Sequence, residues 1–276
     1  MTGRIRVAVV QGTGLVNSPQ QNLDRLASRA QEARAQGADL LVTPELYVSG
    51  YAPSLVHTTD GAAQRRQLAD IAVSAGLAIV GSTVEHDRDR HYISASFFDR
   101  DGGELTRYRK QHLFGAAEKG AFDAGEEAPA VVPFNGVNVA LGICFDIEFP
   151  EFVRAAALAG AELLCVPTAV PLRAGGQTDA HPFDTRLVPA MVVPTRALES
   201  QLFIAYANHA GPDFAGLSTV ADPYGRRLAA AGDDAALIVA DIAVATVRQA
   251  RRDTGYLSTF VHSSPFKHSA ASAHPQ

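Results

Sequence analysis

The amino-terminal third of the chain alternates between short apolar runs and longer segments whose apolar residues recur at helical spacing. The longer segments predict two helices, one that begins with a capping box from Ser18 to Gln21 and one over Ala62 to Ala75. The apolar runs predict strands over residues 4–10, 39–43 and 77–84. This alternating order is typical of parallel strands covered by helices.

The middle of the chain changes to strand-like runs that are joined by tight turns. An Arg100-Asp-Gly-Gly103 turn joins the runs 92–99 and 104–108, and the run 131–139 contains an Asn-Gly turn. We therefore expect antiparallel strands beside the parallel ones.

Beyond residue 144 the pattern returns to alternating helices and strands. It predicts one helix over Pro150 to Leu158 and another that restarts at Pro194 and ends near Ser200. Further strands are predicted over residues 163–166, 202–207, 219–224 and 236–241. Two mixed sheets that pack face to face, with helices outside, accommodate this α/β pattern. The last part of the chain lacks strong periodicity.

Composition narrows the class of protein. A chain of 276 residues with 47% hydrophobic residues can bury a large core, and we expect a single domain over 1–276 with its core at about 4–245. The net charge of −5 and the scattered basic residues do not indicate a nucleic-acid or membrane-surface partner. No apolar run approaches the roughly 18 residues of a membrane span, so we expect a soluble cytoplasmic protein.

The two cysteines occupy different positions in their strands. Cys144 ends an apolar strand just before a proline-started helix, which gives its thiol a rigid mount and a helix dipole that favours the thiolate. Cys165 lies inside an apolar run and has the setting of a structural residue. The pair argues against a disulfide framework and fits a reducing compartment.

Two other predicted strands end in a charged residue. Glu45 follows the strand 39–43, and a carboxylate there can accept the proton of a thiol. Lys110 ends the run 105–110, and its ammonium can lower a thiol pKa and stabilise an oxyanion. Taken singly, each is as compatible with a helix cap or a solvated strand end. Together with Cys144 they suffice for acyl transfer with no metal and no cofactor.

Three sequence blocks contain these residues. They are Pro44-Glu-Leu-Tyr-Val-Ser-Gly-Tyr51, Tyr108-Arg-Lys-Gln-His-Leu-Phe-Gly115 and Gly142-Ile-Cys-Phe-Asp-Ile-Glu-Phe-Pro-Glu151. In this order they resemble the signature blocks of the nitrilase (carbon-nitrogen hydrolase) superfamily, and the resemblance extends over nearly the whole chain. It implies a four-layer α-β-β-α sandwich and a homodimer, or a higher homo-oligomer, that forms through the helices flanking the sheets.

The resemblance also implies a role for each residue. Glu45 is the general base, Lys110 the oxyanion stabiliser and Cys144 the nucleophile. Glu118 is a second glutamate that positions the substrate, and the backbone amide of Phe145 completes the oxyanion hole.

His112 lies close to Lys110, but the superfamily has a histidine there without a role in a nucleophilic dyad. We therefore assign it a structural role. The nine histidines show no zinc-binding spacing, so a zinc amidohydrolase is disfavoured.

The substrate class is inferred from the residues around the nucleophile and from the wider sequence of the same blocks. Phe145 and Asp146 after the nucleophile resemble the amidase and carbamoylase branches, and the wider blocks most resemble 5-aminopentanamidase and related ω-amino or guanidino amide hydrolases. A small aliphatic primary amide with a cationic tail is thus the leading substrate. Candidate substrate-binding residues are Tyr51, Glu148, Thr168, Ala169 and Asp179.

Two alternatives remain open. An N-carbamoyl amine amidohydrolase would use the same residues, and a nitrilase-fold interaction module would have lost the chemistry. The segment from Pro171 to Pro189, which is long for the 5-aminopentanamidase branch, is expected to influence the acyl group that is accepted. Residues from about 246 to 276 form an extension that we expect at the dimer interface.

Overall fold

The computed structural model describes residues 3–173 and 183–263. Its strands are β1 (Arg4–Gln11), β2 (Leu40–Val42), β3 (Ala78–Asp87), β4 (Arg90–Phe98), β5 (Glu104–Arg109), β6 (Val132–Phe134), β7 (Val137–Leu141), β8 (Leu163–Pro167), β9 (Phe203–Ala207), β10 (Thr219–Ala221), β11 (Arg227–Ala230) and β12 (Ala236–Ala243). Its helices are α1 (Pro19–Ala35), α2 (Pro53–Val56), α3 (Gly61–Ala75), α4 (Gly115–Ala121), α5 (Pro150–Leu158), α6 (Val193–Ser200), α7 (Val244–Asp253) and α8 (Tyr256–Ser263).

The strands form two mixed sheets with the same internal plan. In the first, the order is β12-β1-β2-β3-β4-β5, and in the second it is β11-β10-β9-β8-β7-β6. Each has three parallel strands at its centre, β1 to β3 or β7 to β9, with antiparallel strands on both sides. With helices on the outer faces, this arrangement confirms the predicted fold class.

Strand β1 illustrates how the residue pattern produces the layers. Val7 and Val9 belong to the core between the sheets, whereas Ala8 and Val10 pack with the residues of α1 and α3 on the outer side. Successive side chains of a strand point to opposite faces, so residues 7–10, where both faces of the strand are buried, are apolar at every position.

The direction of the strands brings three chain segments to one edge. Strand β5 is antiparallel to β4, which is antiparallel to β3, so β5 ends at the same edge as the parallel strands β2 and β3. The carboxyl ends of β2 and β8 meet across the sheets, where the amide of Glu45 donates to the carbonyl oxygen of Thr168 at 3.2 Å. Residues that follow β2, β5 and β7 therefore converge.

Some local predictions were wrong. Ser18 precedes α1, but its hydroxyl makes no capping bond and donates to the carbonyl oxygen of Val16 at 3.4 Å. Helix α6 begins at Val193, one residue before the predicted start at Pro194, but a π turn over Val188–Val192 runs directly into it, so the prolines do not leave the expected break. Such a wide turn accommodates the missing amide donors of closely spaced prolines. Helix α8 forms in the stretch where no periodicity was seen.

In the described residues there is no helix with the length and apolar character needed to span a bilayer.

Candidate active site

Lys110 is the centre of a buried charge cluster. Its Nζ donates to Oε1 of Glu45 at 2.7 Å and to Oε1 of Glu118 at 2.8 Å, and all three side chains are fully buried. Burial lowers the pKa of Lys110, but Glu45, Cys144 and Glu118 together raise it above its ordinary value. The ammonium therefore remains charged between two carboxylates.

Glu45 is held through its backbone and keeps one carboxylate oxygen free. Its carbonyl oxygen lies 2.7 Å from Nε2 of His209, and its Oε2 has no hydrogen-bond partner among the described residues. Burial raises the pKa of Glu45 to about 7, while Lys110 acts in the opposite direction. The neighbouring thiol of Cys144 also lowers this pKa. A carboxylate with these properties is suited to exchange a proton with that thiol near neutral pH.

Glu118 is fixed by three donors. Oε1 accepts from Lys110 and from the Tyr51 hydroxyl at 2.6 Å, and Oε2 accepts from the amide of Phe114 at 2.7 Å. The Tyr51 hydroxyl, which we expected to contact substrate, is thus engaged by Glu118. Burial and the nearby Glu45 raise the pKa of Tyr51, so the phenol keeps its proton.

Cys144 begins a 3₁₀ turn over Cys144–Glu148 and has a φ of 47°. This left-handed conformation costs a non-glycine residue on the order of 1–3 kcal/mol and recurs at functional sites. The thiol is buried, and burial together with Glu45 raises its pKa well above its ordinary value, although Lys110 and the backbone of Ala169 act to lower it. The setting therefore does not favour the thiolate as expected, because burial removes the hydration of the thiol and two carboxylates lie nearby.

The amide of Phe145 donates to no acceptor among the described residues. It belongs to the first residues of the 3₁₀ turn, whose amides have no partner within the turn. An unsatisfied donor beside the thiol is what an oxyanion hole requires.

Asp146 is a site residue that the sequence did not predict. It is fully buried and binds Tyr108, His112 and Ile143, which lie on either side of Lys110 or next to Cys144 in the chain. A buried aspartate two residues after the nucleophile was the signal that could have identified it.

His112 is bound by Asp146 and Phe149. Its Nδ1 lies 2.8 Å from Oδ1 of Asp146, and its ring stacks on Phe149 with centroids 3.9 Å apart. This geometry agrees with the structural role that we expected.

His209 is a second residue that the sequence did not reveal. Its Nδ1 accepts from the amide of Gly14 at 3.3 Å, so Nε2 carries the hydrogen and donates to the carbonyl oxygen of Glu45. Burial lowers the pKa of His209 to about 4, and the ring is neutral at physiological pH. It supports the backbone of Glu45.

A cavity of about 180 Å³ opens in front of the thiol and is mostly apolar. Its lining residues are Phe114, Cys144, Phe145, Glu148, Val170, Pro171, Arg173, Phe183 and Thr185. Of the candidate substrate-binding residues in the described part of the chain, Glu148 lines this cavity. Thr168 instead donates its hydroxyl to the carbonyl oxygen of Val166 at 3.0 Å. Ala169 presents its backbone to the thiol.

Two predicted features lie outside the described residues. They are the candidate Asp179 with residues 174–182 of the long segment, and residues 264–276 of the carboxyl-terminal extension. Within the described ranges, no group of three or more His, Cys, Asp and Glu side chains is arranged to hold a metal ion.

Comparison with known proteins agrees with this geometry. The model of the carbon-nitrogen hydrolase family matches residues 6–252. A hydrolase of Pseudomonas protegens is 39% identical over 248 residues, which are 86% of this chain and 82% of that protein. An (R)-stereoselective amidase of a Pseudomonas species is 34% identical, over 92% of this chain and 90% of the relative.

A solved structure of an amidase from Nesterenkonia sp. AN1 is 38% identical, with a TM-score of 0.80 over 91% of this chain and 94% of that one. In it, the acetamide moiety of fluoroacetamide is covalently bound to the active-site cysteine. Two mixed sheets with outer helices and a thiol beside a lysine-carboxylate cluster define an enzyme of the amidase type. The chain belongs to the carbon-nitrogen hydrolase family.

Proposed function

We propose that this enzyme hydrolyses a small aliphatic primary amide to a carboxylate and ammonia through a thioester on Cys144. The observation that carries the proposal is the position of Lys110 between two buried carboxylates, beside a thiol that lines a mostly apolar cavity. The cluster supplies a base, a fixed positive charge and a nucleophile, which are the groups that acyl transfer needs.

In the acylation half, Sγ of Cys144 attacks the carbonyl carbon of the amide while its proton passes to Glu45. The raised pKa of the thiol means that it starts protonated, so a base close to it is necessary. Nζ of Lys110 and the amide of Phe145 stabilise the negative oxygen of the tetrahedral intermediate. The carbon-nitrogen bond then breaks, and ammonia leaves with the proton that Glu45 held.

In the deacylation half, water attacks the thioester carbonyl and gives a proton to Glu45. The carbon-sulfur bond breaks, the acyl group leaves as a carboxylic acid, and the proton on Glu45 returns to the sulfur. A pKa of about 7 suits Glu45 to both directions of transfer. Glu118 holds Lys110 and Tyr51 in place throughout.

The cavity supports a short acyl group. Its volume of about 180 Å³ is close to the roughly 150 Å³ of a protein cavity that binds benzene, which indicates room for a few carbon atoms. Butyramide, a four-carbon amide, is bound in a structure of the Nesterenkonia amidase that is 36% identical to this chain with a TM-score of 0.79.

The proposal extends to amides with an ω-amino or guanidino group. Glu148 is the acidic residue among the described residues that line the cavity, and burial raises its pKa. A bound cation would compensate that half-buried carboxylate, which favours a cationic tail. Arg173, on the same cavity, would oppose it, so the tail must reach Glu148 without passing close to the guanidinium.

The test is release of ammonia from butyramide, 5-aminopentanamide and glutaric monoamide by the wild type and by Cys144→Ala. We expect the wild type to release ammonia and the variant to release none. Mass spectrometry should detect an acyl adduct on Cys144. Equal, negligible release by both proteins from the whole panel would overturn the proposal and favour an interaction module.

The tail is tested by Glu148→Gln. We expect this variant to raise KM for 5-aminopentanamide at least about tenfold and to leave KM for butyramide within about threefold, since only the cationic tail loses its partner. Equal changes for both substrates would exclude Glu148 as the residue that binds the cationic tail.

Release of carbon dioxide with ammonia from N-carbamoyl amines, but no turnover of amides, would support the carbamoylase alternative.

We also propose that the protein is a homodimer that forms through its outer helices. Helices α5, α6 and α8 contact one another beside the second sheet, and Leu158 near the end of α5 is 46% exposed. An exposed leucine on a helical layer is a suitable contact for a second copy.

A further inference from the structure

We infer that Asp146 is a positioning residue that fixes the segment carrying Lys110 to the turn carrying Cys144. Asp146 does not line the cavity. Its effect on the reaction would pass through the residues that it binds. The inference rests on the proposed function, since it assumes that Lys110 and Cys144 act on the same carbonyl.

Four donors converge on the buried carboxylate of Asp146. Oδ1 accepts from the amide of His112 at 3.0 Å and lies 2.8 Å from its Nδ1. Oδ2 accepts from the Tyr108 hydroxyl at 2.9 Å and from the amide of Ile143 at 3.0 Å. Each oxygen therefore has two partners, which an ionised carboxylate can satisfy and a neutral side chain of the same shape cannot.

The donors to Asp146 lie close in the chain to Lys110 and to Cys144. Tyr108 and His112 lie two residues before and two residues after Lys110, so both sides of the lysine are tied to Asp146. Ile143 directly precedes Cys144. One carboxylate thus determines the distance between the ammonium and the thiol.

The same carboxylate closes the turn around the nucleophile. The amide of Asp146 donates to the carbonyl oxygen of Ile143 at 3.0 Å, while the amide of Ile143 donates back to Oδ2. This reciprocal pair encloses Cys144 and Phe145, and it holds the left-handed backbone of the cysteine and directs the free amide of Phe145. Loss of the pair would move both groups relative to Lys110.

The donors remain donors over the working pH range. Burial and the adjacent Asp146 raise the pKa of the Tyr108 phenol, which therefore keeps its proton. The remaining partners of this carboxylate include two backbone amides, which do not titrate. The linkage is therefore a permanent part of the fold.

The test compares Asp146→Asn with a matched control, Asp222→Asn. Asp222 is also buried and closes a turn by accepting from the amides of Tyr224 and Arg226 and from Nε of Arg226. Asp222 belongs to a turn remote in sequence from the blocks that carry the site. Both variants should lower Tm, because each replaces one of the two acceptor oxygens of a buried carboxylate with an NH₂ donor.

Only Asp146→Asn should impair the chemistry. We expect its kcat to fall about 100-fold with KM within about threefold, since a shift near 1 Å in a reacting group costs about that factor. Asp222→Asn should keep kcat within about threefold. Wild-type kcat in Asp146→Asn, or an equal loss in both variants, would overturn the inference.

A second readout does not depend on the substrate. Alkylation of Cys144 by iodoacetamide, followed by mass spectrometry from pH 6 to 9, should be about tenfold slower in Asp146→Asn than in the wild type, because the thiol is displaced from its base. An unchanged profile would contradict the positioning role. If wild type fails on every amide, the proposed function fails, and the alkylation rates still decide the role of Asp146.

Tyr108→Phe serves if Asp146→Asn does not fold. It removes one of the four donors and keeps the ring. We expect kcat to fall by about fivefold, the effect of one buried hydrogen bond of about 1 kcal/mol. An unchanged kcat and an unchanged alkylation profile would again overturn the inference.

Discussion

The pKa of Glu45 is set by two opposing effects, burial and the charge of Lys110. Its carboxylate loses hydration in the fold, gains the ammonium of Lys110 and meets the second carboxylate of Glu118. The result is a pKa of about 7 instead of the ordinary value near 4.5. A shift of this kind makes an acid that is weak enough to take a thiol proton and strong enough to return it.

The pH dependence of the reaction should therefore follow Glu45. The base must be ionised to accept the proton, so kcat/KM should fall about tenfold per pH unit below about pH 7. His209 does not contribute to this limb, because its pKa is about 4. The measurement is kcat/KM for butyramide from pH 5 to 9, with near-ultraviolet circular dichroism at each pH as a control for unfolding. A constant value between pH 5.5 and 8 would refute the assignment.

For single residues, the sequence predicted which side chains lie together in the site, but it did not predict how this arrangement shifts their pKa values. Glu45, Lys110 and Cys144 each lie within three residues after the end of a strand, and strand ends are visible in a pattern of apolar residues. The direction of the shift in the thiol pKa depends first on burial and then on the distances to two carboxylates that lie far away in the chain. Such distances are set by packing, which a local pattern does not contain.

Among the elements, β5 and the segment that follows α4 determine where Lys110 lies. The amide of Gly125 donates to the carbonyl oxygen of Lys110 at 2.8 Å, and the amide of Lys110 donates to the carbonyl oxygen of Ile93 at 2.8 Å. The lysine backbone is therefore held on both sides. A side chain at residue 125 would meet the carbonyl oxygen of Arg109.

Gly125→Ala should disturb this close approach. We expect it to lower the free energy of unfolding by about 1–3 kcal/mol, the usual cost of overpacking, and to lower kcat because Lys110 moves with Arg109. The measurements are urea denaturation and ammonia release.

Gly120→Ala is the matched control, since nothing lies within 4 Å of a Cβ at that position in α4. It should raise the free energy of unfolding by about 0.5–1 kcal/mol, because alanine favours a helix over glycine. If both substitutions have the same effect on stability and kcat, the close approach at Gly125 has no special role.

The elements differed in how well the sequence predicted them. Helices α3 and α5 were placed to within a residue because each has a regular apolar face and a clear stop or start, such as Gly76 or Pro150. The π turn before α6 was missed because two prolines in a helical stretch suggest a break. Helix α8 is short, and its packing against α5, α6 and α7 is a tertiary effect.

For the molecule as a whole, the site depends on contacts between the two sheets. Gln11 lies at the end of β1 in the first sheet, and its side chain accepts from the amide of Ser218 at 2.7 Å, just before β10 of the second sheet. The same side chain donates to the carbonyl oxygens of Gly232 and Asp234, which lie between β11 and β12. Glu45 is joined to Thr168 and His209 in the same way. The plan of two mixed sheets was predictable, whereas these polar links were not.

The proposed dimer is tested at this scale with two matched arginine substitutions. Leu158→Arg on α5 should give a particle with the 29.1 kDa mass of one chain, whereas the wild type should have twice that mass. Val73→Arg on α3 of the other outer layer, where Val73 is 53% exposed, should remain dimeric. The measurement is light scattering after size-exclusion chromatography. A monomeric wild type, or identical behaviour of the two variants, would exclude this interface.

The different settings of the two cysteines determine how many sulfurs of the folded chain an alkylating reagent can label. Cys165 is fully buried in β8, and burial raises the pKa of its thiol. Cys144 is also buried, but it borders a cavity that small molecules can enter. A small alkylating reagent should therefore label one sulfur per folded chain and two per unfolded chain. The labelled fraction of a preparation then counts its competent sites, so a turnover rate can be expressed per working enzyme instead of per milligram of protein.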